Sequence, residues 1–258
     1  AKAIVRKASM RQTNYVSLEE LGTVNMITGQ MENVLKEELQ SLRKMFVFDM
    51  DNTLLRGRFI DTLAMKYQFQ AELEKLREME QEPAVRTKRI AKLLKWLSMG
   101  EILQVASGIP LVDDAADVVA LLRGQGNIVG IISDSYQVVV EMVKNKLGAD
   151  FAIGNRLEYF EGKATGEVII PSLFYNNLES KCGHSICKTN ALMHIAHRYQ
   201  ISLNNCITVG DSENDLCMIE KAGMGVAFCT DNDLLKEKAD MFISDYSFKA
   251  LLPLTDAS

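Results

Sequence analysis

The sequence lacks long apolar runs, an excess of basic residues and a rich set of cysteines, and each shortage excludes a class of protein. No segment holds the roughly 18 to 20 uninterrupted apolar residues of a membrane span, because charged residues interrupt every hydrophobic run. The amino-terminal segment AKAIVRKASMRQ also lacks the apolar core of a signal peptide. We therefore expect a cytoplasmic protein without a membrane partner.

The five cysteines do not predict a disulfide framework, because their number is odd and no CxxC pair occurs. Reduced thiols are expected in a cytoplasmic protein. The segment Cys182-Gly-His184-Ser-Ile-Cys187 is the nearest approach to a transition-metal cluster. Its spacing matches no standard zinc module and no second half follows, which disfavours a transition metal here.

The charge balance is mildly acidic, with 29 Lys and Arg against 34 Asp and Glu and a net charge of −5. Nucleic acids and anionic membranes favour a basic face, so we expect no nucleic-acid partner. The hydrophobic content of 47% is that of an ordinary globular protein, which can bury a sizeable core.

Apolar runs alternate with helical patterns from residue 45 onward. The run Met45-Phe46-Val47-Phe48 ends in Asp49, as expected for a strand that is buried on both faces of a sheet. Similar runs occur at 128–132, 206–209 and 225–228, and helical patterns occur at 114–123, 136–147, 188–199, 213–221 and 234–238. This alternation predicts an α/β fold with a doubly wound, Rossmann-like parallel sheet.

The segment between the first two predicted strands is too long for one crossover, and helices are predicted in it at 59–79 and 84–100. A helical cap inserted here would lie over the carboxyl ends of the strands, where open α/β sheets bind ligands. We predict a cap at 58–125 and a catalytic core at 45–57 and 126–258. A hairpin with its turn at Glu161-Gly162-Lys163 is also predicted.

Residues 1–44 precede this alternation. The first sixteen residues have no clear period, whereas residues 17–44 predict one or two amphipathic helices that begin with the capping box Ser17-x-x-Glu20. We interpret residues 1–44 as a helical arm or linker that packs on the core or mediates a homodimer.

Four polar motifs fall at the ends of the predicted strands or at a helix start. Asp49-Met-Asp51 follows the first strand, Ser133 ends the second, Lys188 opens a helix, and GDSEND at 210–215 follows the third. Each motif is weak alone, because a strand-ending Asp often caps a turn and a single Lys is usually solvated. Together they supply a carboxylate nucleophile, oxygen ligands for Mg²⁺ and a cationic clamp, which predicts phosphoryl transfer.

The same ordered motifs resemble those of the haloacid dehalogenase superfamily over roughly residues 45–250. The segments VGDSENDLCMIEKAGMGVAFC and NKLGADFAIGNRLEYFEGKATGEV are similar, more narrowly, to those of phosphoserine phosphatases. The resemblance implies a Mg²⁺-dependent phosphomonoester hydrolase that acts through an aspartyl phosphate. Its partner would be a small phosphorylated metabolite such as phosphoserine.

The resemblance also implies roles for the motif residues. Asp49 attacks phosphorus, while Asp51 protonates the leaving oxygen and then deprotonates the hydrolytic water. Mg²⁺ is held by the Asp49 carboxylate, the Asp51 carbonyl and Asp211.

The remaining motif residues would surround the phosphoryl group. Ser133 and Lys188 hold the phosphoryl oxygens, and Asp215 orients Lys188 or a metal-bound water. Asn214, in the same motif as Asp215, is a candidate substrate contact.

Three positions depart from the phosphoserine phosphatase pattern or leave it open. Arg58 stands where those enzymes have a Glu for the substrate ammonium, and a cation there suits an additional anion. In those enzymes two glycines follow the serine of the second motif, whereas this chain has Asp134 and Ser135 there. The segment SDSY resembles more closely the second motif of a phosphoserine:homoserine phosphotransferase. For the substrate carboxylate, Arg86 and Arg89 are both candidates, and Arg89 fits the local pattern RIAKLLK better.

Three alternatives to a hydrolase stay open on the sequence. One is the phosphotransferase just described. The second is a non-enzymatic phospho-acceptor similar to receiver domains, which also phosphorylate an Asp beside Mg²⁺, although their acidic pair lies elsewhere. The third is a regulatory protein with a decayed site, which the four intact motifs disfavour.

Overall fold

A computed structural model describes residues 3–4, 15–16, 31, 43–175 and 182–255. The chain divides into two units, residues 1–42 and 43–258. In the first, β1 (Ala3–Ile4) pairs antiparallel with β2 (Tyr15–Val16). The helices and capping box predicted for 17–44 lie almost wholly outside the described residues. Among the described helices, none is long and apolar enough to cross a membrane.

Within 43–175 and 182–255, seven strands form one sheet in the order β6-β5-β4-β3-β7-β8-β9. Every neighbouring pair is parallel except β5 and β6, which are antiparallel. The strands are β3 (Met45–Phe48), β4 (Ile128–Tyr136), β5 (Phe151–Phe160), β6 (Lys163–Ile169), β7 (Cys206–Gly210), β8 (Met224–Phe228) and β9 (Met241–Ile243). The predicted α/β fold is confirmed.

The central strand β3 explains why the sheet is buried on both faces. Phe46 and Phe48 pack into one core cluster, whereas Met45 and Val47 pack into another. Successive side chains of a strand point to opposite faces, so one continuous apolar run serves both clusters. All four side chains are buried, which fixes the register of the strand that leads to Asp49.

Helices cover both faces of the sheet and form the cap after β3. The cap region contains α1 (Phe59–Tyr67), α2 (Gln70–Met79), α3 (Pro83–Leu93) and α4 (Met99–Ser107). The remaining described α-helices are α5 (Ala115–Gly124), α6 (Gln137–Leu147), α7 (Lys188–Arg198), α8 (Leu216–Lys221) and α9 (Asp233–Lys238).

Two predicted helices of the cap are interrupted. The helix predicted for 59–79 breaks at Gln68, whose φ of 60° is left-handed. The helix predicted for 84–100 ends at Leu93, and Trp96 (φ 77°) turns the chain before α4 begins. Periodicity identifies a helical region but not the single left-handed residue that divides it.

The β5–β6 hairpin reaches the cap. Its predicted turn is confirmed, with Glu161 and Gly162 both left-handed (φ 48° and 76°), the geometry that two-residue hairpin turns require. The Trp96 N–H donates to the Ala164 carbonyl at 2.9 Å, and the Ala164 N–H donates to the Leu97 carbonyl at 2.8 Å. The hairpin therefore joins the cap to the edge of the sheet.

The cap range predicted at 58–125 includes α5, but α5 packs against β4 of the sheet and against α6. We propose that the cap ends before α5.

Candidate active site

Asp49 lies at the carboxyl end of β3 and is buried, with 4% of its surface exposed. Its N–H donates to the Val209 carbonyl at 2.8 Å, which extends the ladder between β3 and β7 by one residue. The backbone of Asp49 is therefore fixed by the sheet. Such a predicted nucleophile, held at the end of a central strand, would need little reorganisation before it attacks.

Lys188, the first residue of α7, lies between two buried carboxylates. Its Nζ is 2.5 Å from Asp49 Oδ1 and 2.7 Å from Asp215 Oδ1. Burial alone would lower the pKa of Lys188, but Asp215 and Asp49 together hold that pKa well above its usual value. Burial raises the pKa of Asp49, and Lys188 opposes that rise. Lys188 is therefore a permanent cation beside the predicted nucleophile.

Asp215 is aimed at Lys188 by the backbone of the GDSEND turn. The Ser212 N–H and hydroxyl both donate to Asp215 Oδ2, at 3.1 and 3.0 Å. This capping box occupies one carboxylate oxygen and leaves Oδ1 for Lys188. The prediction that Asp215 orients Lys188 has this geometry in its favour.

Gly210 leaves no room for a side chain beside Asp215. A Cβ added at Gly210 would lie 2.5 Å from both Cβ and Cγ of Asp215. We expect Gly210→Ala to displace the Asp215 carboxylate from Lys188. It should lower kcat/KM of the predicted phosphatase reaction by roughly 10- to 100-fold, since small misplacements of catalytic groups are costly.

The matched control is Gly124→Ala, because a Cβ at Gly124 meets nothing within 4 Å. Steady-state kinetics of both variants would decide the point, and equal activity of the two would contradict the steric argument.

Asp51 lies in a tight turn that also starts the cap. Asn52 is left-handed (φ 57°) in this turn, and the Phe59 N–H at the start of α1 donates to Asp51 Oδ1 at 2.7 Å. Burial raises the pKa of Asp51 to about 6, although the Phe59 N–H and Arg58 oppose the rise. A carboxylic acid with this pKa can give and take a proton near neutral pH.

The raised pKa of Asp51 predicts a pH-dependent stability in the metal-free protein. Between its ordinary value of 3.8 and about 6, the folded state binds more protons than the unfolded state, so the free energy of unfolding falls as pH rises. This contribution of Asp51 to the free energy of unfolding is fully present below pH 3.8 and is lost as the pH rises through about 6.

Urea unfolding in EDTA at a series of pH values, compared with Asp51→Asn, isolates this group. We expect the wild type to lose on the order of 2 kcal/mol relative to the variant across that window. Parallel pH profiles of the two proteins would show that Asp51 titrates normally.

Three acidic residues form a site suited to a hard cation. Asp49, Asp211 and Asp215 each place a carboxylate oxygen within 4.8 Å of the others. Asp211 Oδ1 is buried and has no hydrogen-bond partner among the described residues, whereas Asp211 Oδ2 accepts from Asn52 Nδ2 at 3.3 Å. An unpaired buried carboxylate oxygen is costly unless a cation satisfies it, so these residues fit a divalent ion such as Mg²⁺.

Ser133 lies where β4 departs from regular pairing. The β4–β5 register is interrupted between Ile132 and Tyr136, and Asn155 Nδ2 donates to the Asp134 carbonyl at 2.6 Å across the interruption. The buried Ser133 hydroxyl accepts from the Ser135 N–H at 3.2 Å. This irregularity turns the segment toward the site, as bulges near active sites often do.

These residues line one cavity of about 580 Å³, enclosed by the cap on one side and the strand ends on the other. The predicted site residues Asp49, Asp51, Arg58, Ser133, Lys188, Asp211 and Asn214 all line it. Asp215 lies behind Lys188 and is fully buried.

Arg89 is the one predicted site residue that the structure places elsewhere. It is exposed and pairs with Glu80 at 3.3 Å, whereas Arg86, three residues earlier on α3, lines the cavity together with Arg77. Residues three apart share a helix face, so the sequence could not separate Arg86 from Arg89 without the rotation of α3.

Among the lining residues without a predicted catalytic role are His184, Cys187 and Cys217. His184 and Cys187 precede Lys188, and Cys217 follows the GDSEND turn. Their convergence depends on the pairing of distant segments, which no local pattern reports.

The haloacid dehalogenase-like hydrolase family matches this chain over residues 46–220. A curated relative, the phosphoserine phosphatase of Methanocaldococcus jannaschii, is 30% identical over 219 residues, which cover 83% of this chain and 98% of the relative. The family match over 46–220 therefore includes the cap and all four motifs.

Two solved structures share this fold. One is a phospho-aspartyl intermediate analogue of phosphoserine phosphatase, and the other is a substrate-bound phosphoserine phosphatase complex. Each is 29% identical, has a TM-score of 0.68, and covers 82% of this chain and 98% of its own.

Proposed function

Because this chain belongs to the haloacid dehalogenase-like hydrolase family and is a phosphoserine phosphatase-like enzyme, we propose that it hydrolyses phosphoserine through a phosphoryl group carried on Asp49. The observation that carries this proposal is the buried Asp49 carboxylate, which is paired with Lys188 and lines the cavity together with Asp51 and Ser133. Both a nucleophile and an acid are thus present on one turn.

In the first half-reaction an Asp49 oxygen forms a bond to phosphorus while the bond from phosphorus to the seryl oxygen breaks. Asp51 gives its proton to the departing seryl oxygen, so neutral serine hydroxyl leaves. Lys188 and Ser133 hold the phosphoryl oxygens during the transfer. The product of this step is an aspartyl phosphate on Asp49.

In the second half-reaction a water oxygen attacks the same phosphorus, and the bond to Asp49 breaks. The ionised Asp51 takes a proton from that water, which restores the acid for the next cycle. Inorganic phosphate and the free Asp49 carboxylate are released. Proton transfer in both directions requires a pKa close to the working pH, and the pKa of Asp51, raised to about 6 by burial, supports this role.

We assign Mg²⁺ to the Asp49, Asp51 and Asp211 positions. When bound, it supplies positive charge that offsets the repulsion between an anionic nucleophile and a phosphate dianion. Lys188 provides further positive charge, because its Nζ contacts Asp49 Oδ1.

The cavity offers complementary groups for both ends of an amino acid. Asp134 lines it, and although burial raises the pKa of this carboxyl, the charges of Lys188, Arg86 and Arg58 all act to lower that pKa. We assign the substrate ammonium to Asp134 and the substrate carboxylate to Arg86. Asp134 thus supplies the negative charge for the ammonium, which phosphoserine phosphatases take from a Glu at the position of Arg58.

Two truncated substrates separate these assignments. Phosphoethanolamine lacks the carboxylate of phosphoserine, and 3-(phosphonooxy)propanoate lacks the ammonium. We expect Arg86→Met to weaken kcat/KM for phosphoserine by roughly 10- to 100-fold and to leave phosphoethanolamine nearly unaffected, as loss of one charged hydrogen bond predicts. Asp134→Asn should weaken phosphoserine and spare 3-(phosphonooxy)propanoate.

Arg89→Met is the matched control, because Arg89 carries the same charge on the same helix but lies outside the cavity lining. Equal losses of kcat/KM on phosphoserine and on the truncated substrates would contradict the roles assigned to Arg86 and Asp134. They would not contradict the phosphatase mechanism.

A phosphotransferase is the second candidate, favoured by the Ser133-Asp134-Ser135 segment. Adding homoserine as acceptor to the phosphoserine assay distinguishes the two activities. Hydrolysis predicts one inorganic phosphate for each serine released, whereas transfer predicts phosphohomoserine in place of phosphate.

A further inference from the structure

A second cluster of metal-ligating side chains lies beside the acidic site. Cys182, His184, Cys187 and Cys217 each place a ligand atom within 4.8 Å of the others. Cys217 Sγ is 3.4 Å from His184 Nδ1, and Cys187 Sγ is 3.4 Å from Thr189 Oγ1. No disulfide joins the cysteines of the described chain. Three sulfurs and one imidazole nitrogen therefore converge without a covalent link.

The fold brings one member of this cluster, Cys217, from a distant segment. Residues 182–187 form the segment before α7, whereas Cys217 is the second residue of α8. The local sequence pattern shows three of the four residues, because Cys217 lies thirty positions beyond Cys187. Packing of α7 against α8 brings Cys217 to the other three.

We propose that Cys182, His184, Cys187 and Cys217 bind one zinc ion or a similarly soft divalent metal. Three thiolates and one imidazole are a standard closed ligand set for structural zinc. In a tetrahedral site the ligand atoms lie about 3.6 to 3.8 Å apart, given the usual zinc–sulfur and zinc–nitrogen bond lengths. The separation of 3.4 Å between Cys217 and His184 is close to such an edge.

This soft site is chemically distinct from the acidic site at Asp49, Asp51 and Asp211, to which Mg²⁺ is assigned. Carboxylates select hard cations such as Mg²⁺, whereas thiolates select zinc, so the two sites need not compete. The proposal is therefore independent of the proposed function.

A metal here would join segments that position the catalytic groups. Cys187 directly precedes Lys188, and Cys217 follows Asp215 by two residues. Ser185, within the same segment, donates from its hydroxyl to the cap residue Glu82. Zinc would thus fix the connection between the Lys188 helix, the GDSEND turn and the cap.

The first test loads the purified, reduced protein with Co²⁺ in the presence of excess Mg²⁺. We expect one Co²⁺ per chain, with the visible bands of tetrahedral cobalt and a sulfur-to-cobalt charge-transfer band that carboxylate ligands cannot give. Zn²⁺ should displace the cobalt and remove both bands.

Variants then locate the site. Cys217→Ser and His184→Asn should lose or greatly weaken the charge-transfer band, while Cys229→Ser, which removes a thiol outside the cluster, should retain it. Absence of a sulfur-to-cobalt band in the wild type, or its persistence unchanged in Cys217→Ser, would overturn the proposal.

A measurement on the unmodified chain guards against misfolded variants. Zn²⁺ should protect Cys182 and Cys217 from alkylation, read by mass spectrometry of digested peptides, but should leave Cys229 equally reactive. Equal alkylation of Cys182 and Cys217 with and without Zn²⁺ would also overturn the proposal.

Discussion

Replacing Asp49 by Asn is expected to lower the turnover of phosphoserine by at least about 10⁴-fold, because an amide cannot form the aspartyl phosphate. Asn has nearly the shape of Asp, and Lys188 keeps its contact with Asp215 at 2.7 Å, so the fold should persist. The loss should therefore appear in kcat with a native circular dichroism spectrum. Phosphate release at saturating phosphoserine and Mg²⁺ measures it.

Asp113→Asn is the control for this experiment. It removes the same charge from an exposed carboxylate, which pairs with Arg56 at 2.7 Å on the surface. Such pairs contribute little, so its activity should match the wild type. Substantial turnover by Asp49→Asn would mean that another group accepts the phosphoryl group.

Replacing Lys188 by Met is expected to destabilise the protein by about 3 to 5 kcal/mol and to abolish turnover. The Lys188 side chain is 3% exposed, and its removal leaves the carboxylates of Asp49 and Asp215 buried without their shared cation. Removing one partner of a buried ion pair costs more than the pair contributes, because the remaining charges are desolvated. Urea unfolding in EDTA measures the stability loss.

The double variant Lys188→Met/Asp215→Asn separates charge from packing. It removes one of the two stranded carboxylates, so about 1 to 2 kcal/mol of stability should return while activity stays absent. Lys144→Met, which breaks a more exposed pair with Glu141, should cost less than about 1 kcal/mol. A loss in Lys188→Met no larger than in Lys144→Met would contradict the buried three-charge arrangement.

The sheet and its acidic edge were predictable because their signals are local. A continuous apolar run that ends in Asp predicts both the buried strand Met45–Phe48 and the position of Asp49 at its carboxyl end. The same holds for Cys206–Gly210 and the acidic turn that follows it. Parallel strands bring such ends together, so the positions of the motifs predicted the location of the candidate active site.

Features that depend on rotation or on distant pairing were not predictable in the same way. The choice between Arg86 and Arg89 depends on how α3 faces the cavity, and a single sequence does not report that rotation. The approach of Cys217 to His184 depends on the packing of α7 and α8. The break at Gln68 depends on one left-handed residue, for which the helical pattern on both sides gave no sign.

The most direct test of the account is to find the phosphoryl group on the protein. The enzyme is mixed with phosphoserine and Mg²⁺, quenched in acid during turnover, digested, and examined by mass spectrometry. We predict one phosphoryl group per chain at most, on the peptide that contains Asp49, and none in Asp49→Asn. Turnover with the phosphoryl group on another residue, or with none on Asp49 at any quench time, would contradict the account.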